Sequence, residues 1–254
     1  AAAEAASKAI ETMVLRGTVA VGDIANGAWA APLLARSGLR GLAFHEIFGF
    51  AASDTESILD AAAQRLETID ADPAVVAARD RFTTVLTPHA AHTTSFPLLK
   101  ALGGRAVASA ETLSIHVAES EEESQLLRDG TGPFKDFLIE RGAWDPAFKA
   151  PGQTPVEYLE RLGVLTPRTL AVHCVHLDHQ EVALLVPRQD IPRSPDRRAH
   201  VKIFGTQQDD GTFRVRLKLI QGCHHVIALP SQARFDRFPG RRRVFIHHRL
   251  AFTN

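Results

Sequence analysis

The run Ser114-Ile115-His116-Val117-Ala118-Glu119-Ser120 places an imidazole three residues ahead of a carboxylate. If a strand ends near His116 and a helix starts beyond Glu119, both side chains reach one spot at the end of that strand. Neutral imidazole is the commonest metal ligand, and a carboxylate beside it can carry protons for a water acidified by the ion. A plain structural role suits the same residues at least as well. A strand-end histidine is often only hydrogen-bonded, and Glu119, Glu121, Glu122 and Glu123 together suit the positive end of a helix dipole.

Two further stretches carry groups of this kind. In Ala171-Val172-His173-Cys174-Val175-His176-Leu177, strand alternation puts His173 and Val175 on one face and Cys174 and His176 on the other, with an irregular strand end able to turn His176 back. His173 then fits a site one strand along from His116, or a satisfied core histidine. Cys174 reads as a small buried hydrophobe, because no environment that would depress its pKa is evident. In Thr87-Pro88-His89-Ala90-Ala91-His92-Thr93-Thr94-Ser95, proline forces an extended approach and the Thr/Ser run supplies an N-cap for a following helix. His89 is the candidate substrate-contacting group, and His92 reads as a solvated loop residue.

These residues need elements to hold them. Up to about residue 185 the chain alternates helix-like and strand-like stretches, the pattern of βα units around a parallel sheet. Helical sequence over 1–16 runs to Gly17, a C-cap candidate. Strand candidates follow at Thr18–Ile24, Leu39–Ile47, Phe82–Leu86, Thr112–Val117 and Thr169–Val175. Helices are expected up to Ser37, over Thr55–Ile69, near Thr94–Leu102, from Glu121 to Trp144, over Pro155–Leu162 and up to Leu185. Asp23, His45, Glu46, His89, His116 and His173 all fall at or just past the carboxyl ends of strand candidates. Ligand-capable groups recurring there are the layout of a TIM-barrel active site.

The strings Gly17–Asp23, Phe44-His45-Glu46-Ile47-Phe48-Gly49, Thr87-Pro88-His89-Ala90, His116–Ser120, Pro151–Val156 and Val172–Leu177, in this order, resemble the amidohydrolase superfamily. More narrowly they are similar to its branch of chlorohydrolases and nucleoside deaminases. The resemblance implies a metal-dependent (β/α)8 barrel, of which residues 1–185 look like strands 2 to 6 with their helices, a partial TIM barrel. It implies that His116 is a metal ligand, Glu119 the proton-shuttling acid/base and His173 the histidine that orients the attacking hydroxide. His89 and Glu46 take substrate-facing positions. The implied reaction is hydrolytic deamination or dechlorination of a purine-like or related ring, a small-molecule substrate, with one zinc or iron ion as cofactor.

Departures from that pattern accompany the matches. The sequence contains no His-x-His pair and no Gly-Thr-Asp-Ser-like string, which hold three of the family's four metal ligands. A lone His116 is too few ligands for zinc, since catalytic zinc normally has three from the protein. The expectation is therefore a hydrolase impaired in this chain, with a non-catalytic relic or scaffold as the alternative. The chain opens Ala-Ala-Ala-Glu and its single methionine is Met13, so it is expected to be a piece of something longer.

The formal net charge of 0 hides a split. Residues 186–254 hold 12 Arg and 2 Lys against 5 Asp and no Glu, a net of +9. Family pattern is lost at the same place, which makes 186–254 an atypical basic tail, read either out of the ancestral frame or as poorly ordered sequence. Against a shifted frame, Arg214–Ile220 alternates as an amphipathic strand would. Arg241-Arg242-Arg243 and His247-His248-Arg249 raise nucleic-acid binding as a weak alternative, without any recognised motif beside them. No run reaches the roughly 18 apolar residues of a membrane span, and two cysteines suit a reducing compartment, so the expected location is the cytoplasm, with no membrane partner. Unpaired barrel edges point to homo-oligomers through self-association.

Overall fold

The computed structural model describes residues 2–51 and 54–185, together with the backbone of 202–203 and 243–248. The chain forms two compact units, one from Ala1–Glu46, Leu59–Leu86 and Leu217–Asn254, the other from Ile47–Ile58 and Thr87–Arg216.

The first unit opens with α1 (Ala2–Leu15), and Gly17 turns the chain with φ 83° into β1 (Thr18–Ala25). Then come α2 (Ala31–Arg36), β2 (Arg40–Ile47), α3 (Thr55–Asp70), α4 (Pro73–Ala77) and β3 (Phe82–Pro88). The helix α4 was not expected from the sequence. It is short, starts on Pro73, and is capped by Asp72, whose carboxylate accepts the Ala74 N–H at 2.8 Å. Strand order in this sheet is β3-β2-β1-β7, where β7 (Arg243–His248) and β2 both run parallel to β1. Gly41 faces Val21 across the β1–β2 pair, and a Cβ there would collide with the Val21 carbonyl. Only glycine lets the two backbones approach so closely.

The second unit contains α5 (Phe96–Ser109), β4 (Leu113–Val117), α6 (Glu121–Asp129), α7 (Pro133–Glu140), α8 (Pro155–Arg161), β5 (Thr169–His173), α9 (His179–Leu185) and β6 (Lys202–Ile203). Its sheet has the order β4-β5-β6, all parallel. Every residue of β4 is buried, as expected for a parallel strand covered on both faces. Leu113, Ile115, Val117 and Ala171 pack with Leu99 of α5, Leu127 of α6, Val156 and Leu159 of α8, and Leu185 of α9. The α8 start is fixed by a reciprocal pair, with Thr154 Oγ1 accepting Glu157 N–H at 3.2 Å and Glu157 Oε2 accepting Thr154 N–H at 2.9 Å.

The five expected strands are therefore present, in an α/β fold with parallel strands. The single helical stretch expected from Glu121 to Trp144 is instead two helices. Gly130 takes φ 68°, Gly132 takes φ 96°, and Pro133 opens α7, so the chain cannot continue one helix through this point. The helix expected near Thr94 starts at Phe96 behind Ser95, whose hydroxyl makes no capping bond. Of the basic tail, only the short backbone strands β6 and β7 are described; the Arg214–Ile220 strand candidate and the Arg241-Arg242 pair lie outside the described residues. Among the described residues no helix is long and apolar enough to cross a membrane.

Candidate active site

The site lies in the second unit, where the end of β3, β4 and β5 come side by side. Thr87 joins the first two: its hydroxyl donates to the Ser114 carbonyl and accepts the Ser114 N–H at 2.8 Å. Two residues on, the His116 N–H donates to the His89 carbonyl at 2.9 Å. These bonds fix the register that carries His89 and His116 to one end of the strands. The His89 N–H donates to the Ile47 carbonyl at 3.1 Å, and its Nδ1 lies 2.7 Å from Thr93 Oγ1.

Aromatic rings line up across this end. Phe48 stacks on His89 at 4.3 Å between centroids, His89 lies 4.9 Å from His116, and His116 lies 4.9 Å from His173. His173 Nε2 stands 3.3 Å from Glu119 Oε1. His116, Glu119 and His173 each offer a ligand atom, and these atoms all lie within 4.8 Å of one another. Two imidazoles and a carboxylate at that spacing are a donor set that suits a divalent cation in type and in number. His116 is thus not the lone donor expected from the sequence.

Pairing alone would not bring His173 to His116. His116 sits opposite Val172, and His173 opposite Val117, whose side chain is in the helix-covered core. Side chains paired across a sheet share a face, so a regular strand would turn His173 away from His116. Instead His173 has φ 71° and Cys174 φ 53°, both left-handed. That backbone reversal ends β5 and swings the imidazole back to its partner. The cost, about 1 kcal/mol per residue, is met by hydrogen bonds from Cys174 N–H to Val117 O (2.9 Å), and from Val175 and His176 N–H to Ala118 O (3.0 and 2.9 Å). His176 is turned too, to 3.8 Å from Glu121.

Cys174 is buried as expected, and burial first, then the charges of Glu123 and Glu181, push its thiol up to about 12. Glu46 is a buried residue of β2 in the first unit, beside His45, whose pKa burial and the Arg65 charge lower, against an opposing effect of Glu46. The expectation of a solvated His92 fails. Its ring is buried, stacked on Phe134 at 4.2 Å, with Nδ1 4.0 Å from Glu123 Oε1. Glu123, which the sequence offered only as a dipole partner of its helix, is fully buried and accepts the Glu119 N–H at 3.1 Å. Its position four residues after Glu119, one helical turn, was the available signal.

The model of the amidohydrolase family matches residues 1–203. The chain belongs to the amidohydrolase family. An aminodeoxyfutalosine deaminase of Deinococcus radiodurans is 31% identical over 189 residues, covering 70% of this chain and 43% of its own length. A 5'-deoxyadenosine deaminase of Methanothermobacter thermautotrophicus is 34% identical over 126 residues, covering 50% of this chain and 25% of its own. This amidohydrolase chain spans less than half the length of these curated relatives. Among solved structures, the aminofutalosine deaminase of Helicobacter pylori in complex with methylthio-coformycin superposes with a TM-score of 0.59 at 22% identity, over 70% of this chain and 41% of that one. At that identity the likeness shows a shared fold.

Proposed function

We propose that this chain carries the proton-transfer part of a hydrolytic deaminase acting on the amino group of a purine-like ring. The observation that carries the reading is the convergence of His116, Glu119 and His173 within 4.8 Å at the ends of two neighbouring strands. Deaminase names recur among its curated relatives, for aminodeoxyfutalosine, 5'-deoxyadenosine and methylthioadenosine or S-adenosylhomocysteine, all of which present an adenine-like amine. In this reading His116 holds one divalent cation, zinc or iron, with Glu119 and His173 beside it. When bound, that cation supplies a positive charge that makes water acidic enough to release a proton near neutral pH.

Glu119 does the proton work. Its carboxylate takes one proton from the attacking water and passes it to the ring nitrogen beside the reacting carbon, then carries the second, from the added hydroxyl, to the amine, so that ring N=C–NH2 and water become ring NH–C=O and ammonia. His173 Nε2, 3.3 Å from Glu119 Oε1, orients that water and keeps the carboxylate in place. His89 contacts the ring, held by its bond to Thr93, and Glu46 takes the family's other substrate-facing role. This reading takes residues 1–185 as the amidohydrolase segment and 186–254 as the divergent tail. Absence of a His-x-His pair from the sequence favours slow turnover by this chain alone.

The test is ammonia release from 5'-deoxyadenosine, methylthioadenosine and S-adenosylhomocysteine by the zinc- or iron-loaded chain, beside Glu119→Gln. Slow release that disappears in Glu119→Gln is the expected result. Release of equal rate in both proteins, or no binding of metal by the parent chain, overturns the reading.

A further inference from the structure

The peptide bond between Ala118 and Glu119 is gripped at both of its polar ends. Its carbonyl accepts the N–H groups of Val175 (3.0 Å) and His176 (2.9 Å), and its N–H donates to Glu123 Oε2 at 3.1 Å. Ala118 itself is left-handed, with φ 49°, a conformation alanine keeps only where its surroundings over-determine it. The Glu119 side chain is 45% exposed and rotates about three bonds, so the His173 contact at 3.3 Å alone does not set its direction. What fixes its direction is the backbone from which it leaves.

Glu123 is the buried jaw of this grip. It has no solvent exposure, and it reaches back from the first turn of α6 past Ser120, whose side chain makes no capping bond. Holding a carboxylate out of water is costly unless other groups replace the water. Here the Glu119 N–H does so for Oε2 and the N-terminal end of α6 favours the charge, while Oε1 faces the His92 ring at 4.0 Å, which Phe134 holds by stacking at 4.2 Å with 12° between planes.

We propose that Glu123, seated by His92 and Phe134, is a positioning residue: it locks the Ala118–Glu119 peptide and so aims the Glu119 carboxylate at His173. The role given to Glu119 rests on the deaminase reading above. Without Glu123 the Glu119 N–H loses its acceptor, the left-handed turn at Ala118 loses one of its restraints, and the peptide, held only through its carbonyl, can tilt. Glu119 then leaves the imidazole for solvent.

Amide hydrogen exchange at Glu119, measured by NMR on the full chain, tests the lock. The proteins are the parent, Glu123→Ala, which removes the acceptor, and Glu123→Gln, which keeps an oxygen in its place. The expected result is exchange at Glu119 about tenfold or more faster in the alanine variant and within about threefold of the parent in the glutamine variant, with Leu126 and Leu127 of α6 unchanged. An unchanged Glu119 rate in Glu123→Ala overturns the proposal. Should that variant fail to fold, Glu123→Asp, one methylene too short to reach, gives the same two readings. Where the parent releases ammonia, Glu123→Ala is expected to lower kcat about tenfold with KM within about twofold, and Glu123→Gln to restore it. An equal loss in both variants overturns the proposal. Where the parent releases none, the deaminase reading fails on its own, and the exchange rates still decide the lock.

Discussion

His173 Nε2 stands 3.3 Å from Glu119 Oε1 although the two residues belong to different strand ends and His173 is paired, by register, toward the opposite face of the sheet. The contact exists because the backbone reverses at His173 and Cys174. Two consecutive left-handed residues without glycine are strained, and strain of this kind gathers where function over-determines a conformation.

The first prediction concerns this pair. Glu119→Gln keeps the size of the side chain and removes its ability to take a proton, so ammonia release is expected to fall by about a hundredfold or more. His173→Phe keeps a ring but no nitrogen and is expected to fall similarly, while thermal unfolding of both stays close to the parent. Initial-rate assays beside melting curves check it.

Cation binding is the second. His116→Ala removes the imidazole assigned to the cation and is expected to weaken cobalt or zinc binding at least about tenfold, since a protein site loses affinity steeply with each ligand below three. Titration of the cobalt absorption bands measures this without reference to turnover. Equal cobalt affinity in parent and variant would place the cation elsewhere.

A third prediction concerns pH. Burial raises the Asp23 carboxyl from 3.8 to about 6, so the folded chain holds a proton there that the unfolded chain releases between about pH 4 and 6. Stability is therefore fullest below pH 4 as far as Asp23 is concerned, and is lost as pH rises through 6. Asp23→Asn removes that penalty and is expected to stabilise the chain by about 1 to 3 kcal/mol at pH 7.5, and by little at pH 4. Denaturant midpoints at the two pH values give the difference.

The fourth tests the α5 terminus. Ala110 caps this helix with φ 54° and ψ 30°, and it is exposed. Glycine adopts this geometry without the steric cost borne by alanine, so Ala110→Gly is expected to raise stability by up to about 1 kcal/mol. Urea unfolding measures it, and a loss of stability would refute the argument.

Cys174 gives the fifth. With its thiol buried and pushed up to about 12, almost no thiolate exists at pH 8, and iodoacetamide is expected to leave it unmodified in the folded chain. Peptide mass mapping reads this directly. Alkylation at the rate of an exposed thiol would contradict the burial.

Much of the site was legible in the sequence because its logic is local. The three-residue spacing of His116 and Glu119 across a strand end and a helix start is set by covalent geometry, and five strand candidates stood out by composition. The Gly130–Pro133 break is also local, yet the stretches before and after it are both helical, so composition alone reads as one helix. The burial of His92 and Glu123 is not legible in the sequence for a different reason. Their burial depends on Phe134 of α7 and on the Glu119 backbone, and no spacing in the chain records which ring will cover which carboxylate. The sequence by itself determined which donors are available and in what order the strands carry them. Only the tertiary structure decided which way His173 faces, because its left-handed backbone is held by the Ala118 carbonyl, a hydrogen-bond acceptor supplied by a strand end far away in the chain.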